Sequence, residues 1–310
     1  MSDTAAGLGI WALPLALIGG ALRVSGPYLF VSLGECLTEK SGRINLGQEG
    51  TLILGAMTAY GVSYLSGSPW LGVLAAGCAG LVLGALHAWL CSLPRVNDVA
   101  VGIALMLFGV GIAFFLGKPL IQPPAPRLSP IELGAWSSIA PVRAALEIHG
   151  LLLLGVVAAF VMRFVFRRTR WGLVLRVAGE DADAARALGY DVDRVRLVAT
   201  AIGGFFAGVG GSFLSLVYPG SWSEGLSSGQ GLMAVALVIF ARWDPVKCLW
   251  TSLLFGGAGA LGPALQSIGI LGGYNLYATA PYVLTFVIMI ATSSARRTFA
   301  DQPAELTVAR

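Results

Sequence analysis

Residues 99–118 read VAVGIALMLFGVGIAFFLGK, and from Val99 to Gly117 no side chain is polar. A helix apolar all round has no face to offer water and must be buried in protein or lipid. About 20 such residues cross a hydrocarbon core roughly 30 Å thick. Working outward, comparable windows lie at 48–66, 70–92, 149–166, 197–218, 248–270 and 279–294. A more polar one covers 21–38, and 230–241 is too short to cross alone. The whole chain agrees: of 310 residues only 12% are charged and 56% are hydrophobic, with mean hydropathy +0.79. That is too little polar side chain to cover a globular surface. The continuous runs exclude a porin-type barrel, whose strands alternate over about 10 residues. The expected fold is an all-α integral membrane protein, a polytopic helical bundle of about 8–10 transmembrane segments.

The apolar stretch LGIWALPLALIGGAL near the start imitates a signal sequence, but MSDTAA before it lacks Lys and Arg. Residues 1–20 are therefore expected to form a retained interfacial or membrane helix. Next come a first transmembrane half, 21–166, with an external loop at 119–148, a polar loop at 167–196, a second half at 197–295 and a tail at 296–310. Cys36, Cys78, Cys91 and Cys248 show no CxxC spacing and read as buried, inert thiols.

Placing 39–47 in the cytoplasm and alternating the spans leaves Arg23, Lys118, Arg127 and Arg143 outside and the other sixteen of the twenty Lys and Arg residues inside. The opposite orientation inverts this asymmetry, so the positive-inside rule selects a cytoplasmic C-terminus. The net charge of +4 then reflects topology, with no nucleic-acid partner implied. In the external loop, IQPPAPRLSP forbids a regular helix through 119–130 and leaves room for a short surface helix after it.

Two stretches echo each other. NLGQEGTLILGAMTAYG (45–61) and SSGQGLMAVALVIFARW (227–243) each place Gly-Gln before an apolar segment and are followed by a Trp and Pro cluster. One ascends and the other descends, as in inverted repeats whose interrupted helices meet near the midplane. Candidate pathway residues follow: Asn45, Gln48 and Glu49 on the first arm, Gln230 on the second, and Trp222 as a gate or stacking residue. Glu49 is either an intramembrane functional carboxylate or a helix-start charge at the interface, with Asn45 as its cap. Glu35 joins the candidates. With Glu39 it forms a like-charge i,i+4 pair that calls for hydration or a nearby cation. Glycines at small-xxx-small spacing, Gly80 with Gly84 and Gly204 with Gly208, point to close helix packing.

No G-x-x-x-x-G-K-[ST] motif is present, and with only His87 and His149 no metal cluster or catalytic constellation is expected. An enzyme is thereby disfavoured, leaving importer subunit, secondary transporter or channel. No filter-like segment supports a channel. The polar loop contains GEDADAARALGYDVDRVR (179–196). There Glu180, Asp181 and Asp183 open a short helix on which Ala182, Ala185 and Leu188 share a face, and Gly189 stops it. A helix of about two turns is marginal by itself, so a partner that receives it would supply the missing stability.

Three segments resemble permease subunits of ABC importers in the branched-chain amino acid and simple-sugar superfamily, nearest the nucleoside-type branch. The first is LGECLTEKSGRINLGQEGTLILGA, matched at Gly34, Glu35, Glu39, Lys40, Gly42, Asn45, Leu46, Gly47, Glu49 and Gly50. The second is the polar loop, similar to a coupling segment at Gly179, Glu180, Ala184, Ala185 and Gly189, with Leu188 replacing the usual Ala. The third is GQGLMAVALVIFARWDP, matched at Gly229, Gly231, Phe240, Trp243 and Pro245, with Ala241 replacing Gly. Met106 stands where that branch often carries Asn.

The resemblance implies a multi-pass permease of the bacterial inner membrane, not itself an enzyme and binding no cofactor. Its implied partners are a second permease, a paralogue of this chain, an ATPase with two nucleotide sites that holds ATP and Mg, and an external substrate-binding protein. Glu180, Asp181, Ala184, Ala185, Leu188 and Gly189 would contact the ATPase. The cargo would be a nucleoside, a nucleobase, a sugar or a branched-chain amino acid. The rival reading from the residues is an ion-coupled secondary transporter.

Overall fold

The computed structural model describes residues 12–120, 124–217, 220–223, 225–269, 272–291 and 302–307. Expectations for 1–11 lie outside them. Helix α1 (Ala12–Lys40) runs unbroken through the boundary expected after residue 20. It is followed by α2 (Gln48–Ser66), α3 (Pro69–Cys91) and α4 (Asp98–Gly117). Asn97 caps α4 by accepting from the N–H groups of Val99 and Ala100, which starts the helix at the edge of the apolar run.

The long connection after α4 contains strand β1 (Pro130–Glu132), a short helix α5 (Ala140–Ala145) and strand β2 (Glu147–His149). The strands pair antiparallel with Ile131 opposite Ile148. Then come α6 (Gly150–Arg168), α7 (Arg170–Glu180), α8 (Ala182–Ala187) and α9 (Val192–Leu216). The last part comprises α10 (Gln230–Phe240), α11 (Pro245–Gly259), α12 (Leu261–Ser267), α13 (Tyr274–Tyr277) and α14 (Ala280–Ala291), with a 3-10 turn at Ala304–Thr307.

Among the described residues, each apolar window of the sequence overlaps a helix, and the 248–270 window overlaps two, α11 and α12. By length and apolarity five helices among the described residues qualify as spans, or six if the pair α11–α12, bent by 47°, is one broken span. The 19-residue α2 is missing from the tally because its first turn is polar, and α10 and α14 are shorter apolar helices.

Helix α9 is the hub, packed against α1, α2 and α3. Glycine makes that packing possible. A Cβ at Gly80 would collide with the Gly204 carbonyl, one at Gly84 with the Thr200 carbonyl, and one at Gly208 with the Ala76 carbonyl. The small-xxx-small spacings therefore bring α3 and α9 backbone to backbone, the packing that replaces a hydrophobic drive in lipid.

The two ends differ. At one, Arg43 pairs with Asp98 at 2.7 Å, and Arg163 and Arg167 pair with Asp244 at 3.2 and 3.3 Å. At the other, Arg23 pairs with Glu147 at 2.8 Å. Arg23 and Lys40 are seventeen residues apart on α1, roughly 25 Å along a helix axis. Cys36, Cys91 and Cys248 are buried free thiols, whereas Cys78 is exposed on α3, against the expectation that all four are buried.

Candidate translocation site and coupling surface

The polar residues of the two echoing arms come together inside the bundle. Gly229, with φ +80°, begins α10 without a side-chain cap of its own. Glu49, in the first turn of α2, supplies the missing acceptor. One carboxylate oxygen accepts from the Gly231 and Leu232 N–H groups at 2.7 and 3.3 Å, and the other accepts from the Ser227 hydroxyl at 2.5 Å. A carboxylate on one helix thus caps another helix, where the dipole favours negative charge. Approach is close enough that a Cβ at Gly231 would press on the Glu49 backbone. Glu49 is 7% exposed, and both of its carboxylate oxygens accept from the start of α10 and the residues before it.

Glu35 and Glu39, the like-charge pair noted in the sequence, are also buried, at 0% and 4% exposed. They turn to different partners. Glu35 accepts from the Asn45 N–H at 2.8 Å and from the Gln48 amide at 2.6 Å. Glu39 accepts from the Trp243 indole. Asn45 does not cap α2 as expected; its side chain accepts from the Gly47 N–H at 2.9 Å, and Gly47 is the cap position. Trp243 reaches Glu39 because the chain leaves α10 through Arg242 and Trp243 at φ +51° and +53°. Two successive non-glycine residues in the left-handed region are uncommon, and the conformation must be held by its surroundings.

Among the candidate pathway residues, three buried polar atoms lack a hydrogen-bond partner: Gln48 Oε1, Gln230 Oε1 and Trp222 Nε1. Trp222, expected as a gate, is 2% exposed and wedged against Gly117 and Phe114. Backbone atoms of Met106, where the resemblance suggested Asn, lie against Gly50 of α2.

The second candidate region lies at the basic end. Asp181 caps α8, accepting from the Asp183 and Ala184 N–H groups, and Gly189 follows the helix at φ +85°. Ala182 and Ala185 point inward and pack with Ala178 and Val192. Leu188 does not share their face as expected: it caps the C-terminal end and is 67% exposed. Glu180 closes the preceding helix α7 and is not part of α8. Of the candidate contacts, Glu180, Asp181, Ala184, Leu188 and Gly189 are exposed, as are their neighbours Asp183, Arg186, Ala187 and Tyr190, whereas Ala185 is buried. An exposed leucine and tyrosine on so charged a loop are suited to a protein partner.

Sequence reasoning did not single out Ser227, Trp243 as partner of Glu39, Arg196 or Glu305. Only proximity in space shows their roles, although Ser227 does stand three residues before Gln230 in the second arm.

A polytopic bundle that brings interrupted helices and buried polar groups together, with a charged helix displayed at its basic end, is a membrane permease. The chain belongs to the family described as branched-chain amino acid transport system / permease component, whose model matches residues 17–293. It is 33% identical over 259 residues to a putative glucose ABC transporter permease protein of Haloferax volcanii, covering 82% of this chain and 79% of that protein. It is 28% identical over 296 residues to a guanosine ABC transporter permease protein of Bacillus subtilis, covering 88% and 90%. The same identity over 298 residues relates it to a nucleoside ABC transporter permease protein of Lactococcus lactis, again covering 88% and 90%. The chain is a multi-pass plasma-membrane permease subunit of an ATP-driven importer, and it is not itself an enzyme. Permeases of this family work with a separate ATPase, a second permease subunit and a substrate-binding protein. The ion-coupled alternative finds no support in this membership.

Proposed function

We propose that the importer carries an uncharged polar solute rich in hydrogen-bond donors, a nucleoside, nucleobase or sugar. The observation that carries this reading is the pair of unpartnered buried amide oxygens, Gln48 Oε1 and Gln230 Oε1, at the starts of the two arms. Buried polar atoms normally find partners. Hydroxyl or amino hydrogens of a passing solute would satisfy these two, while the carboxylates beside them are already occupied. The names of the guanosine, nucleoside and glucose permeases to which the chain is similar agree with this class.

In this reading Glu35, Asn45, Gln48, Glu49, Trp222 and Gln230 line or frame the pathway, and the inverted echo of the arms lets them rock about it. The basic end, with the C-terminus, faces the cytoplasm. There α8, with Glu180, Asp181, Ala184, Leu188 and Gly189, seats in a groove of the ATPase, which binds ATP and Mg at two sites. The buried Ala185 supports that surface from beneath. The second permease is a paralogue of this chain.

The test is ATP-driven uptake by the complete importer in proteoliposomes, with labelled guanosine, glucose and leucine offered in turn. Accumulation of guanosine or glucose is expected. Accumulation of leucine alone would overturn the cargo class.

A further inference from the structure

We propose that Glu305 is a positioning residue that ties the coupling helix α8 to the bundle through Arg196. The proposal rests on reading α8 as the ATPase contact.

Among the described residues Arg196 is the largest fully buried side chain, 1% exposed, although it carries a charge. Lying near the start of α9, it donates to the Ser41 carbonyl at 3.0 Å and to the Ala178 carbonyl at 3.3 Å, and it pairs with Glu305 at 3.0 Å. A charge so buried is costly unless paired and hydrogen-bonded, so this arrangement has to hold together as a unit. Its second half faces α8. The other oxygen of Glu305 accepts from the Ala182 N–H at 3.0 Å. Asp181 takes the next two, from Asp183 and Ala184. The first three N–H groups of α8 are therefore satisfied by two carboxylates, one local and one from the far end of the chain. The Ala304 N–H also donates to Glu180, at 3.4 Å.

The segment bearing Glu305 is itself anchored. Leu306 packs on the main core, and Glu305 and Arg196 lie so near Gly42, at φ +85°, that a Cβ there would meet both. Glu305 thus bridges the start of α8 and the start of α9, and α9 is the helix against which α1, α2 and α3 pack. A six-residue helix has little stability of its own. Without the bridge, force delivered at Leu188 would bend α8 away from the bundle and leave α9 where it was.

The experiment uses the whole importer in proteoliposomes and reads the stimulation of ATP hydrolysis by the binding protein as purified. Recovery of the ATPase subunit with the permease measures assembly separately. Glu305→Ala is expected to lower stimulation about fivefold or more, the size of a typical coupling energy, with assembly kept. Glu305→Asp should restore part of it. Unchanged stimulation in Glu305→Ala, or a fall only in proportion to lost assembly, overturns the proposal. Leu188→Glu separates the two readings. If it abolishes stimulation while Glu305→Ala does not, only the clasp fails; if it changes nothing, the coupling helix itself is misplaced.

Discussion

This apolar chain has two polar regions with opposite economies. Where α2 and α10 begin, the carboxylates of Glu35, Glu39 and Glu49 are buried and each accepts from groups of the same chain. Around α8, the inward face is alanine, and the acids and Leu188 point outward. Acids enclosed by their own protein fix a geometry. Acids beside an exposed leucine offer a surface. The difference teaches that polarity alone does not locate the working contact in such a chain; the direction in which its hydrogen bonds are spent does.

Breaking the enclosed region should have the largest effect. Glu49→Ala leaves the Ser227 hydroxyl and the first turn of α10 without their acceptor, and a loss of about 3–5 kcal/mol is expected. Thermal unfolding of the purified complex should show it, with Glu49→Gln intermediate because one acceptor oxygen remains. Trp243→Phe keeps the ring and removes only the indole N–H, stranding the Glu39 carboxylate at an expected cost of about 1–3 kcal/mol. If either variant is as stable as the parent, these acids are not structural and the contrast between the regions collapses.

The displayed region should behave in the opposite way. Leu188→Glu, at a position 67% exposed, should shift stability by no more than about 0.5 kcal/mol, yet uptake should fall at least tenfold. A transport assay beside a melting curve makes that comparison. A variant that unfolds in step with its loss of uptake would show Leu188 to be a packing residue.

How much of this was legible beforehand follows from the range of the forces involved. The helices were, because an apolar run such as 99–117 has one stable answer in lipid. The Gly80, Gly84, Gly204 and Gly208 contacts were half legible: spacing announced close packing but not that α3 and α9 were the pair. Glu49 was flagged as costly, yet its partners lie 178 to 183 residues away in sequence, and no local pattern points to them. The face of α8 was misjudged at Leu188 because helical periodicity was extended to that residue, whereas the helix ends at Ala187. Glu305 was invisible, since nothing near it in sequence marks a site; only the fold brings it to Arg196.

The end opposite the basic one supplies a control that belongs to neither region. Arg23 and Glu147 form an ion pair with each side chain about one-third exposed, 33% and 34%. Arg23→Gln should therefore cost no more than about 1 kcal/mol near neutral pH. Its clearer signature is in the pH dependence. His149, outside the spans, has its pKa lowered by burial first and then by the Arg23 charge, with Glu147 acting against them. The unfolded chain, with an ordinary histidine pKa of about 6.5, then binds the proton more readily than the folded one. Stability contributed by neutral His149 is full above that value and is lost as pH falls toward the lower, folded pKa. Removing the Arg23 charge lets the folded pKa rise toward the unfolded one, so the variant should lose less stability than the parent between about pH 7 and about pH 5. Melting curves of the assembled complex at the two pH values give the difference directly. An identical loss in both proteins would mean that His149 does not feel Arg23, and that exposed charges here are as weakly coupled as those around α8.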